Sequence, residues 1–263
     1  MSHIQALSIE KHAGRCWQRL SNWHFAGNDA ITFLVAQELP KASLLMPIAF
    51  IAQEERFTPV AVLGLTPGKN LFVAPDGRWM GGYVPASYRG YPFALANTED
   101  GQQVLCVDED SGLIGNEGEA LFNEDGTPSH AVSDVFNFLS QVGNNRTATQ
   151  RLSDLLQKHK LIQPWPIKVQ ADKGEQHVEG LFRIDEAALN QLPAEAILEL
   201  RDSGALALVY CQLLSMQHLP MLGQLAQLHA QAQAQAAQQA TASSDLDLEF
   251  LNSGGTITFG NLQ

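Results

Sequence analysis

NLFVAPDGRWMGGYVPASYRGYPF, residues 70–93, decides the fold. Three of the four tyrosines fall here, with Trp79, three prolines and four glycines. Rings on that scale go into a core or an interface, because each carries a large apolar face and one polar tip. The prolines and glycines fix turns between them; Pro75-Asp76-Gly77 is one such turn. The stretch therefore reads first as the packed, turn-rich centre of a β-rich unit. Its second reading is a pocket for a peptide or an aromatic amino acid. Arg78, Trp79, Tyr83, Tyr88, Arg89 and Tyr91 are the ligand-binding candidates, since arginine stacks on rings and grips carboxylates.

Outward from this centre the first half reads as strands. Residues 31–38, 46–53, 57–65 and 70–74 are short apolar runs separated by Pro, Gly or charge. The tight connection Thr66-Pro67-Gly68-Lys69 predicts that 57–65 pairs with 71–74. Residues 93–96 and 104–107 continue the β pattern across a polar connection. The second half reads as helices. Thr127 is an N-cap type and Pro128 suits the first helical position. Val132, Val135, Phe136, Leu139 and Val142 recur at helical spacing, and Gly143-Asn144 reads as a stop before a second helix after Thr147. Residues 167–170 and 177–184 read as a strand pair. Asp185 caps a short helix and Pro193 opens another. Gly204 precedes the most apolar one, with Leu206, Val209, Tyr210, Leu213 and Met216 as its stripe. Pro220 predicts a kink or restart.

The expected fold class is α+β: an antiparallel, β-rich N-terminal half packed against C-terminal helices, with a terminal β-hairpin extension. The expected organisation is a domain over 1–225, an Ala/Gln-rich helical spacer over 226–245 and a hairpin tail over 246–263. The tail alternates Leu246, Leu248 and Phe250 with acids, then Ile257 and Phe259 with threonine. An isolated hairpin is marginal in water, so this one should dock on its own domain, on a sister subunit or on another protein, and self-association through the tail is the partner interaction expected.

Composition narrows the partners. With 45% hydrophobic and 17% charged residues, 263 residues suffice for a substantial core. The formal net charge of -12 disfavours nucleic acid and anionic membrane. The longest apolar stretches, near 31–35, 44–51 and 205–211, are too short for a transmembrane segment. MSHIQALSIEKHAG has no secretory pattern, and Cys16, Cys106 and Cys211 read as free thiols. The default expectation is a cytoplasmic protein, with non-classical export to the cell surface as the alternative.

LMPIAFIAQ, VAVLGLTPGKNLFVAPDGRWMGGYVPASYRGYPF, VLCVDEDSGL, LFNEDGTPS, GLFRIDEAALNQL and GALALVYCQLLSMQHLPML, in this order, resemble the SapC family of bacterial proteins over roughly 31–225. The most specific part is G-x-N-L-F-V…G-x-W…Y-x-P…Y-P-F. The resemblance implies association with a paracrystalline surface layer. It also implies genomic company with TonB-dependent receptors, tryptophan-halogenase-like flavoproteins and cupin-like oxygenases. It carries over no catalytic residue.

The remaining chemistry-bearing residues are sparse. His177-Val178-Glu179 has a metal-like spacing, with His218 or His229 as a third ligand, but no barrel pattern surrounds it. Asp108, Glu109, Asp110 and Asp125 lack the ligand alternation of a calcium loop. No G-x-S-x-G elbow or dinucleotide fingerprint occurs. No metal and no cofactor is expected. The reading is a non-enzymatic binding or assembly protein recognising a peptide or aromatic ligand through the aromatic stretch. The alternative is an enzyme, or enzyme accessory, in peptide or amino-acid modification. Arg89 with Tyr83 or Tyr88 would then orient substrate, and Asp108 or His177 would move protons.

Overall fold

A computed structural model describes residues 3–98, 100–171 and 174–244. The hairpin expected over 246–263 lies outside them. In chain order the elements are β1 (Ile4–Ala6), α1 (Ile9–His12), β2 (Cys16–Trp17), β3 (Ile31–Phe33), α2 (Leu39–Ala42), β4 (Ile48–Gln53), β5 (Arg56–Val62), α3 (Ala86–Arg89), β6 (Phe93–Asn97) and β7 (Gln103–Asp108). They continue with β8 (Ile114–Gly115), β9 (Glu119–Ala120), α4 (His130–Lys158), β10 (Ile162–Pro164), β11 (Ile167–Ala171), β12 (Gly174–Val178), β13 (Leu181–Ile184), α5 (Glu186–Asn190), α6 (Ala194–Ser203), α7 (Ala205–Ser215) and α8 (Leu219–Ser244). The fold is α+β, with antiparallel sheets dominating the first half and helices the second.

The main sheet has the order β10-β13-β4-β5-β3. Its centre is the β4–β5 hairpin, paired from Ile48↔Ala61 to Gln53↔Arg56. The alternation here is near-continuous burial: Ile48, Ala49, Phe50 and Val60 to Leu63 are all shielded, because both faces are covered. A smaller sheet, β1-β7-β6, carries the expected pairing of Phe93↔Val107 through Asn97↔Gln103. A third, β8-β2-β9, places Trp17 against Phe93 edge to face, 5.0 Å apart.

Several local expectations are overturned, each by a tertiary contact. Residues 71–74 form no strand with β5. Leu71 N–H reaches the Leu63 carbonyl at 2.8 Å, and Val73 bridges Trp79 instead; β5 is already paired on both sides, by β4 and β3. The close return fixes Gly64, where an added methyl would sit 1.9 Å from the Lys69 carbonyl oxygen. Residues 177–184 are not one strand. Gly180 turns with φ 82°, so β12 pairs with β11 while β13 joins β4 in the main sheet.

α4 begins later than expected and runs straight through Gly143-Asn144. Its cap is Ser129, whose Oγ accepts the Val132 N–H at 3.3 Å; Thr127 instead closes a turn on Asp125. Gly143 costs about 1 kcal/mol relative to alanine, less than the polar docking that follows it. Asn145 Oδ1 and Thr149 Oγ1 accept the N–H groups of Gln37 and Ala36, and Gln150 donates to the Phe57 carbonyl. One helix is thereby nailed across β5.

α7 is capped behind Gly204 (φ 85°) as expected, but its buried face is displaced from the predicted stripe. Leu208, Val209, Gln212 and Ser215 are buried, whereas Tyr210 is exposed. Gln212 and Ser215 decide this. Gln212 accepts from Ile184 N–H and donates to the Ile48 carbonyl, while Ser215 accepts the Ile48 N–H. A 3-10 turn, Met216–His218, precedes α8, which restarts with Pro220 in its first turn. The helical stretch Ala205–Gln238 is long and apolar enough to cross a membrane by length and composition, contrary to the reading of its apolar segment as too short. A third of its most apolar window is buried in the protein.

Two cores result. The larger joins the main sheet to α7, the start of α8 and the 71–73 turn; the smaller sets Trp17, Phe93, Leu105, Val107 and Leu121 against Val132 of α4.

A cleft along helix α4

Most rings of the 70–93 stretch face one another. Trp79 stacks near Phe72 (5.5 Å) and meets Trp23 and Tyr88 edge to face at 5.9 Å each. Phe25 stacks on Tyr91 with centroids 4.0 Å apart. Their polar tips are turned inward as well. Trp79 Nε1 donates to the Tyr83 carbonyl (2.8 Å), Tyr88 Oη to Asp29 (3.0 Å) and Tyr91 Oη to Asp108 (3.4 Å). Burial, reinforced by Asp29, pushes the Tyr88 phenol far above its ordinary range, and burial with Asp108 raises that of Tyr91. Both phenols stay donors. Arg78 lies outside this cluster, paired with Asp76 (2.6 Å) on an exposed turn.

Tyr83 and Arg89 are the two candidates brought together at an opening. They line a cleft of about 190 Å³ with Val35, Gln37, Glu38, Lys41, Ala86, Phe138, Gln141, Val142 and Asn145. Its floor is Glu38, buried at 5% exposure. The carboxylate accepts the Val35 N–H (2.9 Å) on Oε1, and the Tyr83 hydroxyl (2.8 Å) and Ala86 N–H (2.7 Å) on Oε2. One side chain thus ties α2 to the turn that starts α3. Burial, then the charge of Glu38, pushes the Tyr83 phenol well above its usual range, so it remains a proton donor. The Arg89 guanidinium sits 5.7 Å from the Tyr83 ring centre and 5.1 Å from that of Phe138, and donates to Tyr83 Oη at 3.3 Å. Both distances are within cation–π range.

A second opening of about 270 Å³ adjoins the first, lined by Trp17, Arg19, Ala131, Asp134 and Val135 and again by Arg89 and Phe138. The helix periodicity links the two. Ala131, Asp134, Val135, Phe138, Gln141, Val142 and Asn145 lie on one stripe of α4, because residues three and four apart share a face. At 1.5 Å per residue this stripe is about 20 Å long. The two openings share Arg89 and Phe138 and follow this one stripe of α4.

The other chemistry-bearing residues are scattered. Asp108 ends β7 and caps the following turn through Asp110 N–H, while His177 lies on β12 opposite Lys168. His218 and His229 direct Nε2 at the carbonyls of Ser43 and Leu71. No group of three or more His, Cys, Asp or Glu suited to a metal occurs among the described residues. Sequence reasoning passed over Glu38, Lys41, Phe138 and Asn145. The one visible signal was Glu38, a lone acid closing the apolar run 31–38.

No curated protein and no solved structure matches the chain. A family model does, the one described as SapC, over residues 7–222, which takes in α1 to the first turn of α8 and every residue lining the two openings. The chain belongs to the SapC family.

Proposed function

We propose that this SapC-family protein is a binding module that recognises an extended peptide in the groove along α4, without performing chemistry on it. The observation that carries the reading is the single α4 stripe shared by two adjoining compartments at Arg89 and Phe138. A groove of that length suits several residues of extended chain, at about 3.3 Å each. It offers apolar walls at Trp17, Val135, Phe138 and Val142 and hydrogen-bonding groups at Gln37, Gln141 and Asn145, the mixture that binding pockets use. The aromatic stretch serves this site indirectly: its packed rings hold Tyr83 and Arg89 in place. Asp108 and His177, the proton-transfer candidates, stand on β7 and β12 and line neither compartment. In the surface-layer setting that the family implies, the ligand would be a peptide segment of a partner protein.

A thermal-shift and calorimetric panel of short peptides and single amino acids tests this, since a ligand of the folded state raises stability by mass action. Peptides are expected to raise the melting temperature more than their component amino acids do. Equal or absent effects contradict the reading.

A further inference from the structure

We infer that the Lys41 end of this groove is a receptor for the terminal carboxylate of a peptide, an inference that rests on the groove reading above. The first compartment is lined by two cations, Lys41 and Arg89. Lys41 and Arg89 make no ion pair with any described residue, although the chain carries 28 acids against 16 basic residues. The single acid of the lining, Glu38, already accepts three hydrogen bonds from the protein. It is committed to holding the wall.

Asn145 supplies the independent observation. It is 8% exposed. Its Oδ1 accepts the Gln37 N–H at 3.3 Å, which fixes the orientation of the amide. The Nδ2 donor then has no partner among the described residues, and the side chain lines the compartment. With the rest of the residue buried, this donor is left facing the open cleft, where a ligand oxygen would accept from it. Two cations and this amide therefore line one small space and suit an anion with several acceptor lone pairs. Arg89, bracketed by Tyr83 and Phe138, presents a planar fork suited to a carboxylate. The second compartment favours a carboxylate borne on an apolar chain over a bare inorganic anion, because Trp17, Ala131 and Val135 line it. A terminal carboxylate in the first compartment would place the preceding residues across the Arg89–Phe138 stack.

Calorimetry of the full chain tests this with three probes: acetyl-Leu-Phe-Ala as the free acid, the same peptide as its C-terminal amide, and inorganic phosphate. The acid is expected to bind at least about tenfold more tightly than the amide, because charge-assisted hydrogen bonds are roughly twice as strong as neutral ones. Lys41→Met should weaken the acid by about tenfold and leave the melting temperature unchanged, since that side chain is exposed; Arg89→Ala should weaken both peptides, the acid about tenfold more than the amide, because Arg89 lines both compartments. Equal binding of acid and amide overturns the carboxylate inference and leaves the groove reading standing. Phosphate binding more tightly than the acid overturns the peptide source. No binding of either peptide overturns both.

Discussion

Removing the Glu38 carboxylate should loosen the wall of the groove and the fold together. Three donors point at it: the buried N–H groups of Val35 and Ala86, and the Tyr83 hydroxyl. In Glu38→Ala the amides of the two buried residues lose their protein acceptor. Each orphaned buried donor costs about 1–3 kcal/mol. The phenol is partly relieved, because it lines the cleft and can turn to solvent. The total is about 3–5 kcal/mol, a large share of the roughly 5–15 kcal/mol that holds a domain together. Glu38→Gln discriminates further. Its carbonyl oxygen at the Oε2 position keeps Tyr83 and Ala86, while its NH₂ group faces the Val35 N–H; the cost is then about one lost bond, ~1–3 kcal/mol. Urea unfolding at neutral pH measures both, and the midpoint should fall in the order wild type, Gln, Ala. At roughly 2–4 °C per kcal/mol the alanine variant should melt about 10 °C lower. If both variants unfold within about 0.5 kcal/mol of wild type, the range of ordinary surface substitutions, the carboxylate does not hold the wall and the reasoning fails.

Glu109 supplies a pH test. Burial opposes its ionisation, but hydrogen bonds from His12 (2.6 Å) and Arg15 (2.8 Å) outweigh that and hold its carboxyl below the usual range. A depressed carboxylate stabilises fully above its unfolded value of about 4.3 and loses that contribution as pH falls through the folded value; Glu109→Gln should erase this acid-side slope in urea midpoints measured across that window. Gly64→Ala should destabilise by about 1–3 kcal/mol or more, since the methyl meets the Lys69 carbonyl at 1.9 Å and not a movable side chain; a neutral effect in thermal unfolding would show that this return is pliable. Deleting 246–263 should lower the oligomeric state seen by light scattering, and an unchanged mass would end the proposal of self-association through the tail.

What the sequence made legible were the local, self-consistent signals. The β6–β7 hairpin followed from alternation flanking a polar connection, and Asp185 capped α5 as expected, accepting the Ala188 N–H at 3.0 Å. What it hid were decisions taken by distant partners. Gln212 and Ser215 are polar, yet they turn α7 so that they reach the backbone of β4 and β13. Gly143-Asn144 looks like a helix stop until Asn145 and Thr149 are seen to satisfy the 36–37 backbone. The groove was hidden for the same reason. Its walls come from residues 17 and 19 and from the 35–41, 83–89 and 131–145 segments, and nothing within any one of them announces the others. The aromatic stretch supplies Tyr83 and Arg89 to the lining of the cleft. It named Arg78 beside Arg89 because residue type alone does not separate a cation already paired from one left open.

The most direct test of the account is a two-dimensional NMR titration of the full chain with the free-acid peptide, read as amide shift changes along the sequence. The groove account predicts that the changes fall within 17–19, 35–41, 83–90 and 131–145. Changes centred instead on the exposed face of α7 around Tyr210 and Leu214, or none at saturating peptide, would contradict it.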